Sequence, residues 1–172
     1  MKPKRRRLIL AGSGMLAAAA GAGWQLTRGA HADDVAEQLW ALRFPKPDGS
    51  ELVMASLRGK PLLLNFWATW CAPCVKEMPE LDRFAQAFAA RGWQVVGLAV
   101  DNAKPVREFL QHNPVGFLIG LAGFEGAELT GQLGNAQGAL PFTAVFDRRG
   151  RIVQRKLGPS DYAELVRWGE SI

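Results

Sequence analysis

Cysteine is scarce in this chain: two of its 172 residues are Cys, and they lie close together as Cys71 and Cys74. The two histidines are His31 and His112. A zinc site needs four ligands, so it would take every Cys and every His, and His31 falls in a segment that we expect to be removed. Covalent haem attachment needs a His directly after the second Cys, where the chain has Val75. These shortages argue against a zinc protein and against a haem protein.

Long hydrophobic runs are missing from most of the chain. After Trp24 no run approaches the roughly 18 apolar residues that a membrane-spanning helix needs, which excludes a polytopic membrane protein. With 48% hydrophobic and 22% charged residues, the composition is typical of a globular fold. A length of 172 residues accommodates one domain with an N-terminal extension.

Acidic residues are absent from the first 32 positions. The formal charge of +5 and the pI near 9.6 would suggest a nucleic-acid partner. Residues 1–32 hold six basic side chains and no acidic one, which leaves 15 basic and 16 acidic residues from Asp33 onward. The remainder of the chain has a net charge of −1, so we expect no nucleic-acid partner.

The first 32 residues have the pattern of an export leader. Five basic residues in the first seven positions precede an apolar segment from Leu8 to Leu26, and Ala30-His31-Ala32 matches a signal-peptidase site. We therefore predict a leader over 1–32 and one domain over 33–172. The apolar segment is long enough to remain as an uncleaved membrane anchor instead. Both alternatives, and both the general and the twin-arginine export routes, place the domain in the periplasm or on the outer face of the inner membrane.

The remaining pattern predicts a mixed α/β fold, because apolar runs of strand length alternate with helical segments. Pro61 to Trp67 is a run of apolar residues with Asn65 as its one polar member, as expected for a central strand buried on both faces. The predicted strands are 42–44, 51–54, 61–67, 94–100, 115–119, 143–146 and 151–157, of which the first two and the last two form hairpins. The predicted helices are 33–42, 72–90, 105–112, 125–133 and 160–169, the last of them with Ser160 as its N-cap.

The two cysteines are best explained as a redox dithiol. A structural disulfide would close a loop of four residues and contribute only about 2 kcal/mol, against about 4.7 kcal/mol for a loop of 100 residues. At the N-terminus of the helix, free N–H groups would stabilise a Cys71 thiolate and lower its pKa from roughly 8.5. Cys71 is then the attacking sulfur, and Cys74 resolves the mixed disulfide.

A family resemblance supports this interpretation. The residues from Leu64 to Cys74 are Leu-Asn-Phe-Trp-Ala-Thr-Trp-Cys-Ala-Pro-Cys, followed by Glu77-Met78-Pro79. This stretch resembles the TlpA/ResA-like exported thiol-disulfide oxidoreductases of the thioredoxin superfamily, and the similarity covers about residues 42–172. The resemblance implies a thioredoxin-like fold with a central mixed sheet flanked by helices, an N-terminal β-hairpin and a TlpA-like central insertion between residues 101 and 141. It also implies that Pro141 is the cis-proline facing the dithiol, and that no cofactor is bound.

Glu77 stands out because it falls on the apolar stripe of its helix, three residues after Cys74 and four before Leu81. One interpretation is a first-turn Glu that favours the helix dipole and tilts toward water. The other is a partly buried acid that exchanges protons with Cys74. ResA-like proteins have Glu at this position, and Asn65 stands where plain thioredoxin has a buried Asp, so the resemblance favours the second.

The residues around Cys71 indicate the kind of partner. Trp70, Ala72, Pro73 and Leu140 are uncharged and would form a surface suited to a polypeptide substrate. The resemblance implies a periplasmic reductase of disulfides in exported proteins, of the cytochrome c or copper-site maturation type, which receives electrons from a membrane thiol-disulfide donor. The cytochrome c maturation subgroup usually has Tyr-Gly-Ala-Pro-Glu at the proline loop, from which residues 138–143 depart.

Two other functions would use the same fold or the same two cysteines. A peroxidase of the peroxiredoxin type needs Pro and Thr at fixed positions before its Cys, and the chain has Leu64 and Ala68 there. A Cu(I)-binding module that holds the metal between Cys71 and Cys74 is chemically reasonable, because thiolates are soft ligands. It remains the alternative to a redox enzyme.

Overall fold

The computed structural model describes residues 37–172, so the predicted leader at 1–32 lies outside the described residues. Residues 37–41 are helical and lead into the hairpin of β1 (Arg43–Pro45) and β2 (Glu51–Val53). The strands that follow are β3 (Leu62–Trp67), β4 (Gln94–Ala99), β5 (Leu118–Leu121), β6 (Phe142–Phe146) and β7 (Ile152–Leu157). The helices are α1 (Ala72–Phe88), α2 (Ala103–His112), α3 (Gly126–Gln132) and α4 (Tyr162–Ser171). None of these helices is long and apolar enough to cross a membrane.

Five strands form one mixed sheet in the order β5-β4-β3-β6-β7, and the hairpin of β1 and β2 forms a separate two-stranded sheet. The strands β3, β4 and β5 run parallel, whereas β6 is antiparallel to β3 and β7 is antiparallel to β6. The prediction of a central strand at 61–67 is confirmed, as is the mixed α/β fold with an N-terminal hairpin. The segment expected to be an insertion contains α2, β5 and α3.

The strand β3 is buried along its whole length because helices or loops cover both faces of the sheet. Leu62, Leu64 and Phe66 point into one core, which the hairpin and α3 cover. Leu63 and Trp67 point into the other core, which α1, α2 and α4 cover. Asn65 lies two residues from each of them, on the same face of the strand, so its polar side chain enters the second core.

Helix α4 packs directly on α1. Gly169 makes the close approach possible, since a Cβ atom at this position would lie 2.4 Å from Phe88 Cε1 and 2.8 Å from Phe84 Cε2. The two helices together cover the region of the sheet behind the dithiol, so the loop that begins α4 is brought close to the first turns of α1.

The structure corrects two details of the prediction. The strand predicted at 115–119 begins three residues later, at Leu118, and ends at Leu121. The Gly116 N–H donates to Asp82 Oδ1 (2.6 Å) on α1 instead of joining the sheet. The N-cap of α4 is Asp161, whose Oδ1 accepts from the Glu164 N–H (2.8 Å). Ser160 is not the cap: its N–H donates to Glu77 Oε2 (2.8 Å).

Loops from four strands meet at one edge of the sheet. The parallel strands β3, β4 and β5 end there, and β6 begins there because Phe142 pairs with Phe66 near the end of β3. This edge carries both the loop before Cys71 and the loop that contains Pro141.

Candidate active site

The two cysteines form a disulfide at the start of α1. Cys71 is the N-cap residue, and its Sγ accepts a hydrogen bond from the Cys74 N–H at 3.3 Å. Cys71 retains 6% of its surface exposed, whereas Cys74 is completely buried. Of the two cysteines, only Cys71 retains exposed surface, and a backbone N–H points at its sulfur.

Uncharged residues surround Cys71. Trp70 is the most exposed large apolar residue among those that the structure describes, with 64% of its surface accessible. Ala72 and Pro73 are exposed as well, and Leu140 is half-buried against the core that holds the two cysteines. The four residues expected to contact a substrate therefore all reach the surface.

The Leu140–Pro141 peptide bond is cis, and Pro141 itself is buried. Asn135 supports the loop before this bond, because its Nδ2 donates to the Ala139 carbonyl oxygen at 2.8 Å. After the bond, the Pro141 carbonyl accepts from the Gly158 N–H at 2.9 Å. The proline loop is thus held on one side by a residue of the same loop, Asn135, and on the other by Gly158, which follows β7.

Glu77 is buried behind Cys74, with only 2% of its surface exposed. The interpretation in which it tilts toward water is wrong, because Oε1 accepts from Asn65 Nδ2 (2.7 Å) and Oε2 accepts from the Ser160 N–H (2.8 Å). Loss of solvation raises the pKa of Glu77 to about 7, although both hydrogen bonds and the charge of Lys156 favour the ionised form. The carboxyl group therefore changes its protonation state near neutral pH.

A row of polar residues continues from Glu77 across the sheet. Asn65 Nδ2 also approaches Thr143 Oγ1 (3.1 Å), and Thr143 pairs across the sheet with Lys156, which forms an ion pair with Glu164. This row connects the buried carboxyl to a partly exposed ion pair near the sheet edge. The Oδ1 of Asn65 and the Oγ of Ser160 are buried with no protein partner.

Sequence reasoning missed three contributors to this arrangement. Ser160 and Thr143 reach the site only through tertiary packing, 83 and 78 positions along the chain from their partners. Asp101, which follows β4, accepts hydrogen bonds from Thr69 in the loop before Cys71. Its position at the C-terminal end of a parallel strand was the one available signal.

The fold and the dithiol define a thioredoxin-like thiol-disulfide oxidoreductase. Comparison with known proteins identifies the family. The model of the Redoxin family matches residues 29–166, so the chain belongs to the Redoxin family. The thiol-disulfide oxidoreductase ResA of Bacillus thuringiensis (strain Al Hakam) is 29% identical to it over 94% of each chain. ResA of Bacillus subtilis (strain 168) is 29% identical over 99% of each chain.

Solved structures agree with this assignment. A thiol:disulfide interchange protein of the thioredoxin family from Chlorobium tepidum TLS superposes with a TM-score of 0.68 and 27% identity. The superposition covers 76% of this chain and 91% of that one. The protein is therefore a thiol-disulfide oxidoreductase of the ResA type, with Cys71 and Cys74 as its CxxC pair.

Proposed function

We propose that the protein reduces disulfide bonds in exported proteins, on the outer side of the inner membrane. The observation that carries the proposal is the asymmetry of the dithiol: Cys71 retains some exposed surface next to the exposed Trp70, whereas Cys74 is completely buried, one helical turn before the buried Glu77. An attacking sulfur, a resolving sulfur and a proton acceptor are the three groups that such a reaction needs.

The reaction begins from the reduced dithiol. The Cys71 thiolate, stabilised by the N-terminus of α1, attacks one sulfur of the partner's disulfide, and the partner's other sulfur leaves as a thiolate. The Cys74 thiolate then attacks Cys71 Sγ, which breaks the mixed disulfide and releases the partner's second sulfur. Two electrons pass to the partner, and the Cys71–Cys74 disulfide seen in the structure is the product.

Glu77 handles the proton of Cys74 in this scheme. The Cys74 thiol is completely buried, so its proton needs an acceptor inside the protein before the sulfur becomes nucleophilic. The ionised Glu77 carboxylate, one helical turn away, accepts that proton and later returns it to the departing thiolate or to solvent. A pKa of about 7 suits this role, because the group then both gains and loses a proton at physiological pH.

The substrate is a polypeptide in this proposal. Trp70, Ala72, Pro73 and Leu140 are uncharged, reach the surface and form the proposed docking surface around Cys71. Such a surface suits an extended segment of a partner around its disulfide. Apocytochrome c and copper-site proteins, whose cysteines must be reduced before they bind haem or metal, are the proposed substrate class.

The predicted leader supports the location and the electron source. A domain exported behind residues 1–32 would work in an oxidising compartment, where a membrane thiol-disulfide protein must regenerate its dithiol. Whether the leader is cleaved or retained as an anchor, we propose that the domain lies outside the inner membrane.

Reduction of insulin with dithiothreitol as the electron source tests the enzyme directly. We expect the wild-type protein to accelerate precipitation of the insulin B chain, and the Cys71→Ser variant to be inactive because it lacks the attacking sulfur. The Cys74→Ser variant should accumulate a mixed disulfide with the substrate, detectable by mass spectrometry. A wild-type protein no faster than the Cys71→Ser/Cys74→Ser double variant would contradict the proposal.

The role of Glu77 is tested by the pH dependence of the resolving step. We expect the wild-type rate to rise as pH increases through about 7, because only the ionised carboxylate accepts a proton. Glu77→Gln should lose this rise and slow the step by up to about 100-fold, within the range of a positioned proton acceptor. Glu80→Gln on the same helix is the matched control and should keep the wild-type profile.

Binding of Cu(I) is the second candidate function. It is favoured by two neighbouring cysteines, Cys71 and Cys74, whose Cα atoms lie 5.3 Å apart. No group of three or more His, Cys, Asp or Glu suited to a metal occurs within residues 37–172, so any copper there would depend on the dithiol. Tight Cu(I) binding by the reduced protein, lost in the double Ser variant and unaccompanied by insulin reduction, would favour this candidate over the enzyme.

A further inference from the structure

The loop between β3 and Cys71 presents its most exposed side chain with little support from packing. Trp70 lies between Thr69 and Cys71, and 64% of its surface is accessible. The Cys71 N–H donates to the Ala68 carbonyl at 3.2 Å, which closes residues 68–71 into a tight turn. The position of the indole ring is therefore determined mainly by its backbone neighbours, of which Thr69 is one.

Asp101 holds Thr69 in place. Its Oδ2 accepts from both the N–H (3.0 Å) and the Oγ1 hydroxyl (2.6 Å) of Thr69, and its Oδ1 accepts from the Asn102 N–H (2.7 Å). The last ladder bond between β3 and β4 joins the Val100 N–H to the Trp67 carbonyl at 2.8 Å. The contact of Asp101 with Thr69 thus ties the two chains together beyond the point where strand pairing ends.

The burial of this carboxyl group is costly. Asp101 is 4% exposed, and it takes part in none of the ion pairs found within residues 37–172. Hydrogen bonds alone offset its loss of solvation. Two of its three bonds go to Thr69, so most of this compensation is directed at the loop before Cys71 and not at the start of α2.

We propose that Asp101 is a positioning residue for thiol-disulfide exchange: through Thr69 it fixes the orientation of Trp70, and with it the surface on which a protein disulfide docks beside Cys71. The inference rests on the docking role of Trp70 in the proposed function. It predicts that loosening the loop impairs reaction with a protein disulfide more than with a small disulfide, because a small molecule needs only access to Cys71.

The test compares two substrates and two substitutions of Thr69. Rate constants of the reduced protein are measured with insulin and with 2-hydroxyethyl disulfide. Thr69→Val removes the hydroxyl that Asp101 binds and should lower the insulin rate about fivefold, the effect of roughly one net hydrogen bond. The rate with 2-hydroxyethyl disulfide should stay unchanged, and Thr69→Ser, which restores a hydroxyl, should recover the insulin rate.

A double-mutant cycle shows whether Asp101 is the partner through which Thr69 acts. If it is, Thr69→Val in an Asp101→Asn background should cost less than Thr69→Val alone. Additive losses would overturn the assignment, as would a Thr69→Val variant in which both substrates slow equally or neither slows. Failure of Thr69→Ser to restore the insulin rate would overturn it too.

The Trp70→Ala variant separates failure of this inference from failure of the proposed function. If Trp70→Ala lowers the insulin rate selectively and Thr69→Val does not, the docking surface stands and the role of Asp101 is wrong. If Trp70→Ala leaves the ratio of the two rates unchanged, Trp70 is not a docking residue and both claims fail. Loss of insulin reduction only in the cysteine variants would then leave the redox chemistry intact.

Discussion

Among single residues, Glu77 is the one whose protonation state depends on two opposed effects. The hydrogen bonds from Asn65 and Ser160 are both donated to the carboxyl oxygens, so both stabilise the ionised form. Burial acts against that form, and it dominates, because the pKa is raised from 4.5 to about 7. A buried acid with two donors and a nearby ion pair therefore remains poised between protonated and ionised.

This balance predicts how the stability of the oxidised protein varies with pH. Since the pKa of Glu77 is higher in the folded state, its contribution to stability is complete below about 4.5 and is lost as pH rises to about 7. The loss amounts to about 3 kcal/mol. The Glu77→Gln variant carries no such titration, so we expect it to gain stability relative to the wild type above pH 7.

Urea denaturation at pH 4.5 and pH 8 measures the effect. The difference in unfolding free energy between Glu77→Gln and the wild type should favour the variant more at pH 8 than at pH 4.5. Rotation of the Asn65 amide by half a turn would let its unpaired Oδ1 accept from the new amide of Gln at position 77, which keeps the substitution tolerable. An equal difference at both pH values would show that Glu77 titrates normally.

The inward position of Glu77 could be predicted from sequence because helical periodicity is local: its neighbours Cys74 and Leu81 define the buried face. Its partner Ser160 could not, because that contact joins positions 83 residues apart. Sequence favoured Ser160 as a helix cap, yet Asp161 takes that place, and Ser160 instead donates its backbone N–H to Glu77. Local rules identify the acid but not the donors that surround it.

At the scale of elements, the contact between α1 and α4 holds the back of the site. Gly169 permits this contact, since any side chain there would collide with Phe88 and Phe84. Gly131 in α3 is different, with no atom within 4 Å of an added Cβ. The same substitution should therefore have opposite effects in the two helices.

We expect Gly169→Ala to destabilise the protein by about 1–3 kcal/mol, because overpacking outweighs the better helix propensity of Ala. Gly131→Ala should be neutral or stabilise it by up to about 1 kcal/mol. Melting temperatures of the two variants test the contrast. A Gly169→Ala variant as stable as Gly131→Ala would mean that the α1–α4 contact has room for a side chain at position 169.

The bounds of a strand or helix could be predicted where its residue pattern is uniform. They could not be predicted where a tertiary contact changes the path of the chain. The run that ends at Trp67 is apolar except for Asn65 and permits little besides a central strand. Val115 looked equally suitable for a strand, but Gly116 is held on α1 by Asp82, and the chain joins the sheet only at Leu118. The existence of this strand was predicted correctly, but its bounds were not.

For the whole molecule, sequence was sufficient for the fold class and the reactive pair. The scarcity of Cys focused attention on Cys71 and Cys74, and the alternation of strands and helices placed them at a strand-to-helix junction. The loop around Asp101 could not be anticipated, because it depends on which strand ends lie side by side. The direction of electron flow depends on the relative stability of two redox states, which neither motif nor fold determines.

The reduction potential of the Cys71–Cys74 pair determines whether the protein acts as a reductant or as an oxidant of exported proteins. Equilibration of the protein with glutathione or dithiothreitol redox buffers at pH 7, followed by thiol alkylation and mass spectrometry, gives the ratio of dithiol to disulfide. A reductant of exported proteins should have a potential nearer the value of about −270 mV for thioredoxin than about −120 mV for DsbA. A potential close to that of DsbA would mean that the protein introduces disulfides, and would contradict its assignment as a reductase.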